Sequence, residues 1–203
     1  MESKGISPFY TKEQILERTN RQLILWMDLE MTGLDPEKDS ILEIAAIVTD
    51  TELGLVEQGP ELVIHHTANE FDLMDRWNQR QHIKSGLWGR AIESEIQTEE
   101  AEKQVIRFVK KFFSKKEKAL IAGNSIWQDR RFIINHMPRL EEYLHYRMID
   151  VSSLKLLCKN WYPKLAGIKK KENHRAMDDI RESIEELKFY RNVIFRASEE
   201  IKL

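Results

Sequence analysis

The order of its apolar runs constrains the fold of this chain more than any other feature of the sequence. The first three runs, Leu23–Leu29, Ile41–Thr49 and Pro60–His65, have the length and the apolar or β-branched content of strands. Short connections with turn residues, including Thr32-Gly33 and Leu53-Gly54, separate them. Because short connections suit antiparallel neighbours, the sequence predicts a three-stranded meander.

The rest of the chain alternates helices with short strands. A helix that begins at Thr98 has apolar residues at helical spacing, and the compact run Ala119–Ala122 after it indicates a buried strand. The later predicted elements are a helix, a strand and two more helices, over Arg130–Asn135, Met148–Val151, Leu154–Trp161 and about Ala176–Val193. This order favours an α/β domain whose mixed sheet, an antiparallel meander plus parallel strands, is flanked by helices.

A chain of 203 residues fits one domain with short extensions. The dense pattern begins at Gln22, so we expect an N-terminal extension over residues 1–21, a domain over 22–195 and a C-terminal tail over 196–203. The extension lacks the apolar segment of a secretory signal and carries glutamates that contradict a transit peptide. No apolar run approaches the roughly 18 residues of a membrane-spanning helix, so we expect a cytoplasmic protein that does not enter a membrane.

The charge balance limits the kind of nucleic-acid contact that the protein can make. With 32 Lys and Arg against 34 Asp and Glu, the net charge is −2. Proteins that grip long nucleic acids without sequence preference neutralise many phosphates and are basic, whereas short nucleic acids stay possible substrates here. The single cysteine, Cys158, excludes a disulfide framework and a thiolate metal cluster within one chain.

Two carboxylates lie at the end of the first predicted strand. Side chains alternate along a strand, so Asp28 and Glu30 point to the same face. Adjacent carboxylates are costly unless a cation or protons neutralise them, but the pair alone would also suit a solvated strand edge. Asp129 follows a later buried strand, and His174 precedes Asp179 at the start of the last helix. Together they place four carboxylates and a histidine at the ends of separate elements.

Such a set suits metal-assisted phosphoryl chemistry. Hard divalent cations take oxygen ligands, and Mg²⁺ prefers a few carboxylates together with water and substrate phosphate. Two ions about 3.5–4 Å apart can hold the attacking and leaving oxygens of an in-line displacement, while a histidine takes a proton from the attacking water. The sequence contains no Gly-x-x-x-x-Gly-Lys-Ser/Thr loop, no Gly-x-Gly-x-x-Gly and no Gly-x-Ser-x-Gly elbow.

Three segments resemble the exonuclease motifs of the DEDDh superfamily, and more closely those of the oligoribonuclease family. They occur in the family's order, at Asp28–Leu34, Gly123–Phe132 and His174–Ile180. Shorter segments that look like signatures of the oligoribonuclease family itself lie at Leu73–Asp75, Trp77–Asn78, His145–Arg147 and Asp150–Ser152. The resemblance spans roughly residues 23 to 195, which is most of the chain.

The resemblance implies a ribonuclease-H-like exonuclease fold and a metal-dependent 3′-to-5′ exoribonuclease. Its substrates would be very short RNAs, dinucleotides especially, and its products nucleoside 5′-monophosphates. Carried over position by position, four carboxylates would hold two Mg²⁺ or Mn²⁺ ions: Asp28, Glu30, Asp129 and Asp179. His174 would be the general base, and Asp178 is disfavoured as a ligand because the family's catalytic aspartate is the second of the pair.

The resemblance also implies a substrate site for short RNA and a homodimer. Leu34 would be a wedge against the bases, Trp77 a stacking platform and His82 a substrate-site histidine. Tyr146 would lie beside the bases. Ser125, Arg147 and Ser152 would form the group that caps the 5′ phosphate. In the family the Tyr-Arg segment comes from the partner subunit. Without the resemblance, Trp77 and Tyr146 would be interpreted as core aromatics, Leu34 as a turn residue and Arg147 as a surface ion-pair partner.

Two other functions stay open at this point. One is a related DEDDh exonuclease that acts on longer RNA or on DNA 3′ ends, against which the net charge and the capping signature argue. The other is a non-catalytic scaffold, which should have lost a carboxylate or the histidine, whereas all five positions are present. Trp127 departs from the expected pattern, because a bulky residue two positions before Asp129 either narrows the site or packs beneath it.

Overall fold

The computed structural model describes residues 23–165 and 175–195, so the predicted N-terminal extension, the C-terminal tail and His174 lie outside it. Its strands are β1 (Leu23–Met31), β2 (Ile41–Asp50), β3 (Leu55–Val63), β4 (Ala119–Gly123) and β5 (Leu144–Asp150). Its α-helices are α1 (Arg76–Lys84), α2 (Leu87–Glu93), α3 (Thr98–Val109), α4 (Ile126–His136), α5 (Pro138–Glu141), α6 (Val151–Trp161) and α7 (Ala176–Ile194), and a 3₁₀ helix covers Ala68–Leu73. Among the described helices, none is long and apolar enough to cross a membrane.

The five strands form one mixed sheet in the order β3-β2-β1-β4-β5. β2 pairs antiparallel with both β1 and β3, so the predicted meander is confirmed. β4 pairs parallel with β1 and with β5. The pairing of β4 with β1 covers Ile24–Trp26, and past it the described part of β1 has a strand neighbour on one side only.

The start of β3 was predicted wrongly, and its packing explains why. The strand begins at Leu55 rather than at Pro60, and its pairing to β2 shifts register around Gly59 and Pro60. A Cβ atom at position 59 would lie 2.5 Å from the ring of Phe108, so glycine is needed for this close approach. An edge strand tolerates proline at such an irregularity. Gly59 and Pro60 therefore interrupt the pairing within the strand, which begins before them.

The two faces of the sheet carry separate apolar cores. Met27 and Leu29 pack with α3, α4 and α5 on one face, and Trp26 packs with α6 and α7 on the other. Because alternate residues of a strand share a face, Asp28 and Glu30 continue the row of Trp26 toward the start of α7. The α7 face therefore carries the acidic end of β1.

Candidate active site

Three carboxylates meet where β1 approaches the start of α7. Asp28 and Glu30 lie on one face of β1, and Asp179 lies in the first turn of α7. In this acidic group of Asp28, Glu30 and Asp179, one carboxylate oxygen from each residue lies within 4.8 Å of the others, and all three side chains are half-buried. The preceding Asp178 accepts a hydrogen bond from the guanidinium of Arg181 at 3.1 Å. The structure therefore places the second aspartate of the pair in the acidic group.

Asp129 lies beside this group and contacts the backbone of β1. It is buried on α4, and its Oδ1 accepts a hydrogen bond from the backbone N–H of Leu29 at 2.9 Å. Gly123, the last residue of β4, lies so close to β1 that a Cβ atom would be 2.8 Å from the Met27 oxygen. This close approach brings α4, which begins three residues later, against the acidic end of β1.

Burial raises the pKa of two carboxyl groups at the site, Glu30 and Asp129. Burial raises the pKa of Glu30 to about 8, and the charges of Asp179, Glu43 and Asp129 add to the shift. Burial also raises the pKa of Asp129 to about 7, although the hydrogen bond from Leu29 acts in the opposite direction. A divalent cation would relieve this repulsion. The donor set, which consists of carboxylate oxygens, fits the preference of Mg²⁺ or Mn²⁺.

The predicted base, His174, lies outside the described residues, and its role stays a prediction. Its neighbour Arg175 is described and forms ion pairs with Glu61 of β3 at 2.6 Å and with Glu43 of β2 at 3.5 Å. These ion pairs hold Arg175, the residue next to the predicted base, against the sheet.

Leu34 projects from a loop that hydrogen bonds hold in place. Its side chain is 73% exposed, while its backbone oxygen accepts a hydrogen bond from Gln128 Nε2 of α4 at 2.7 Å. Within the loop, Asp39 accepts hydrogen bonds from the Asp35 N–H at 2.9 Å and from Thr32 Oγ1 at 3.3 Å. An apolar side chain is thus presented to solvent from a fixed backbone.

Helix α1 carries Trp77 and His82 in different environments. Trp77 lies in the first turn and is 57% exposed, and the capping carboxylate of Asp75 accepts its backbone N–H at 2.7 Å. His82 is buried, and its Nε2 lies 2.9 Å from the backbone oxygen of Met31, the last residue of β1. Since that oxygen can only accept, Nε2 is the donor, and the contact fixes α1 beside the acidic group.

The two predicted serines come together at the ends of the parallel strands β4 and β5. Asp150 Oδ1 accepts hydrogen bonds from the backbone N–H groups of Ser125 at 3.0 Å and Ser152 at 2.9 Å. The two hydroxyl oxygens lie 3.2 Å apart, and Ser152 Oγ donates to Asn124 Oδ1 at 3.0 Å. Asn124 in turn donates to Ser183 Oγ at 2.7 Å. The serine pair is therefore tied to α7, the helix of the acidic group.

Tyr146 and Arg147 lie on the edge strand β5, and both are exposed. The guanidinium of Arg147 lies 4.9 Å from the centre of the Tyr146 ring. Within residues 23–165 and 175–195, no hydrogen bond or ion pair joins the Arg147 side chain to Ser125 or Ser152. One chain, as far as it is described, does not assemble the predicted cap for the 5′ phosphate.

Trp127 does not pack beneath the site. It is 51% exposed in the first turn of α4, and the Arg131 guanidinium lies 5.9 Å from the centre of its ring. Arg131 also donates to Gln128 Oε1 at 2.9 Å, and Gln128 is the residue that holds the Leu34 backbone. The bulk of Trp127 therefore adds to the exposed surface of α4.

Three residues that hold the site together had no role in the sequence-based prediction: Asn124, Asp150 and Gln128. A signal existed for two of them, because Asn124 follows β4 and Asp150 ends β5, and the ends of neighbouring parallel strands gather polar side chains at one edge of a sheet. Gln128 had no local signal, since the oxygen of Leu34 that it binds lies 94 residues away.

Comparisons with known proteins cover most of the chain. A family model described as Exonuclease matches residues 25–187. An oligoribonuclease of Photorhabdus laumondii is 51% identical over 169 residues, which are 83% of this chain and 93% of the relative. An oligoribonuclease of Vibrio vulnificus is 52% identical over 176 residues, which are 86% of this chain and 97% of the relative.

Solved structures share the fold at low sequence identity. E. coli exonuclease I in complex with a 5cy-dT13 oligonucleotide aligns with a TM-score of 0.65 at 15% identity, over 86% of this chain and 41% of that chain. A moderately thermophilic exonuclease I from Methylocaldum szegediense aligns with a TM-score of 0.64 at 17% identity, over 85% of this chain and 41% of that chain. This chain spans about two fifths of those proteins, and the likeness concerns the fold alone.

Proposed function

Because the chain belongs to the exonuclease family, and within it to the oligoribonucleases, it is a 3′–5′ exoribonuclease, and we propose that it acts on very short RNAs. The ribonuclease-H-like exonuclease fold predicted from the sequence is confirmed by the mixed sheet and by the exonuclease I structures. In this proposal dinucleotides are the preferred substrates, and nucleoside 5′-monophosphates are the products. The observation that carries it is the group of three carboxylates within 4.8 Å, with Asp129 hydrogen-bonded to the same strand.

The proposed metal ligands are the four carboxylates Asp28, Glu30, Asp129 and Asp179. These residues would hold two Mg²⁺ or Mn²⁺ ions, which would supply charge compensation for an in-line displacement at phosphorus. The raised pKa of Glu30 supports this assignment, because the charges of Asp179, Glu43 and Asp129 add to the effect of burial, and a bound cation would offset them. The hydrogen bond from Leu29 holds Asp129 against β1.

His174 is the proposed general base. Its imidazole would take a proton from the attacking water, because an ordinary histidine pKa lies close to neutral pH. The water oxygen attacks the phosphorus of the terminal phosphodiester, and the bond from phosphorus to the 3′ oxygen of the preceding nucleotide breaks. That oxygen takes up a proton from solvent and becomes the 3′ hydroxyl of the shortened RNA. The last nucleotide then leaves as a nucleoside 5′-monophosphate.

Leu34 and Trp77 are the proposed contacts for the bases, with Leu34 as a wedge and Trp77 as a platform. Both are exposed, and both project from segments fixed beside the end of β1. Aromatic stacking suits any base and contributes about 1–3 kcal/mol. His82 stays a proposed substrate-site residue, and its bond to Met31 also holds α1 in place.

The proposed cap for the 5′ phosphate combines two subunits of a homodimer. Ser125 and Ser152 come from one chain, and Tyr146 and Arg147 from the other. The exposure of the Tyr-Arg pair on an edge strand supports this arrangement, as does its separation from the serines within one described chain. A short, capped site needs few phosphate contacts, in agreement with a net charge of −2. A cytoplasmic location stays a prediction.

The test is hydrolysis of a 5′-phosphorylated RNA length series, from two to about ten nucleotides, with Mg²⁺ or Mn²⁺ and with chelator. We expect a strong preference for the dinucleotide and complete loss of hydrolysis with chelator. Metal-dependent degradation without length preference would contradict the capped site and favour an exonuclease for longer substrates. Absence of hydrolysis by folded, metal-loaded protein would contradict the whole proposal.

A further inference from the structure

Glu43 is a fully buried carboxylate on β2, directly beside the acidic group. It has no exposed surface, and it is the cross-strand partner of Glu30 in the antiparallel pairing of β1 with β2. Residues that lie opposite each other in such a pair project from the same face of the sheet. A buried charge is costly unless it is paired and hydrogen-bonded, and a second carboxylate beside Glu30 adds repulsion. Its position therefore calls for specific partners.

The partners of Glu43 come from α2 and from the start of α7. Glu43 Oε1 accepts a hydrogen bond from Arg90 Nη1 of α2 at 3.0 Å and lies 3.5 Å from Arg175 Nε. Glu43 Oε2 accepts a hydrogen bond from the backbone N–H of Ala176, the first residue of α7, at 3.1 Å. The N–H groups of a first helical turn have no partner within the helix. Arg175, at the N-cap position, makes no side-chain capping bond, so Glu43 supplies the cap from strand β2.

The cap leads directly to a member of the acidic group. The backbone N–H of Asp179 donates to the Arg175 oxygen at 2.9 Å, which closes the first turn of α7. Arg175 is also held by Glu61 of β3 at 2.6 Å. The carboxylate of Glu43 thus fixes both the residue that accepts from the Asp179 backbone and the residue that begins the helix.

We infer that Glu43 is a positioning residue that sets the start of α7 and thereby holds Asp179 in register with Asp28 and Glu30 for metal binding. This inference rests on the proposed function of the acidic group. Glu43 acts through the backbone of α7, and it is distinct from the four proposed ligands.

A second buried glutamate provides a matched control. Glu102 on α3 is also buried; it pairs with Arg139 Nε at 2.8 Å and accepts the backbone N–H groups of Arg139 at 2.7 Å and Leu140 at 3.1 Å. It therefore caps the short helix α5 from another element, with the same chemistry as Glu43. The helix that it caps carries none of the proposed site residues.

The experiment compares Glu43→Asp with Glu102→Asp in the full chain. Each change keeps the charge and shortens the side chain, so charge near the site is constant and the cost to packing is similar. We would measure the melting temperature without metal, Mn²⁺ affinity by calorimetry, and kcat and KM for a 5′-phosphorylated dinucleotide. Both variants should melt at lower temperature than the parent protein. Only Glu43→Asp should also lose Mn²⁺ affinity and kcat, each by about 10–100-fold, with little change in KM.

Equal Mn²⁺ affinity and kcat in the parent protein and in Glu43→Asp would overturn the inference. If Glu43→Asp does not fold, Arg175→Ala replaces it, because that half-exposed side chain is the other half of the contact and its loss should weaken Mn²⁺ binding in the same direction. If the parent protein binds Mn²⁺ but hydrolyses no dinucleotide, the proposed function fails, while the Mn²⁺ comparison still decides the role of Glu43.

Discussion

The acidic group and the proposed contacts for the RNA bases differ in how much of their geometry one chain supplies. The carboxylates are half-buried or buried, and they lie on a central strand and on two helices that pack against it. Leu34, Trp77 and Tyr146 are instead among the most exposed large apolar side chains of the described residues. The fold thus brings the carboxylates together within one chain, whereas in the proposed function RNA recognition would depend on surfaces that the substrate and a second subunit complete.

Replacement of one aspartate of the Asp178-Asp179 pair gives the sharpest test of the acidic group. Asp179→Asn should abolish dinucleotide hydrolysis, because it removes a member of the acidic group. Asp178→Asn is the matched control, since its partner is Arg181, and it should hydrolyse the dinucleotide at the parent rate. Equal loss of hydrolysis in both variants would contradict the assignment of Asp179 to the acidic group and of Asp178 to an ion pair outside it.

His174, the proposed general base, should affect turnover, and its replacement should leave the acidic group intact. His174→Ala should lower kcat by about 10²–10⁴-fold, which is the usual contribution of general base catalysis. Mn²⁺ affinity, measured by calorimetry, should stay at the parent value because the carboxylates are unchanged. An unchanged kcat at neutral pH would exclude His174 from this role.

The cap should respond to both the 5′ phosphate and the second subunit. Arg147→Ala should weaken binding of a 5′-phosphorylated dinucleotide by about 10–100-fold, the scale of one hydrogen bond to a charged group, and an unphosphorylated dinucleotide much less. Mixing Arg147→Ala with Asp28→Asn, each of them impaired alone, should restore activity at one site of a mixed dimer. No restoration would mean that Arg147 acts within its own chain.

Trp77, the proposed stacking platform for the RNA bases, should contribute less than the cap and should act on substrate binding. Trp77→Ala should raise KM by the equivalent of about 1–3 kcal/mol of stacking, with kcat little changed, in a steady-state assay with the dinucleotide. Trp161→Ala removes another exposed tryptophan, at the end of α6, and should leave KM unaltered. A Trp77→Ala effect confined to kcat would contradict a stacking role.

The acidic group should also leave a signature in stability. Glu30 has a pKa of about 8 in the folded protein against 4.5 ordinarily. Between these values the unfolded chain releases its proton and the folded protein keeps it, so folding becomes less favourable as pH rises. Without metal, the melting temperature should therefore fall by several degrees from pH 5 to pH 8, and Mn²⁺ should restore it. Glu30→Gln should reduce the slope of the profile, and the remaining slope should come from Asp129, whose pKa is raised to about 7. A parent profile that rises with pH would contradict this account.

Local patterns predicted the parts of the site that depend on local periodicity. Alternation along β1 placed Asp28 and Glu30 on one face, and the order of strands and helices predicted the mixed sheet. The register irregularity near Gly59 was missed, and the contact with the Phe108 ring that requires glycine there involves a distant element. Glu43 looked like an ordinary strand residue, since the backbone N–H that it caps lies 133 residues away. Contacts of that kind have no signature in a single sequence.

The short parallel contact between β1 and β4 has a consequence for how the protein folds. β1 and β2 are neighbours in the chain and can pair early, whereas the contact of Ile24 with Leu120 must close a long loop. Asp129 follows β4 in the chain and Asp179 lies still further along, so we expect both to reach β1 after β2 has paired with it. Metal binding during refolding should therefore appear with the slowest phase, and it would report completion of the native state rather than formation of the first hairpin.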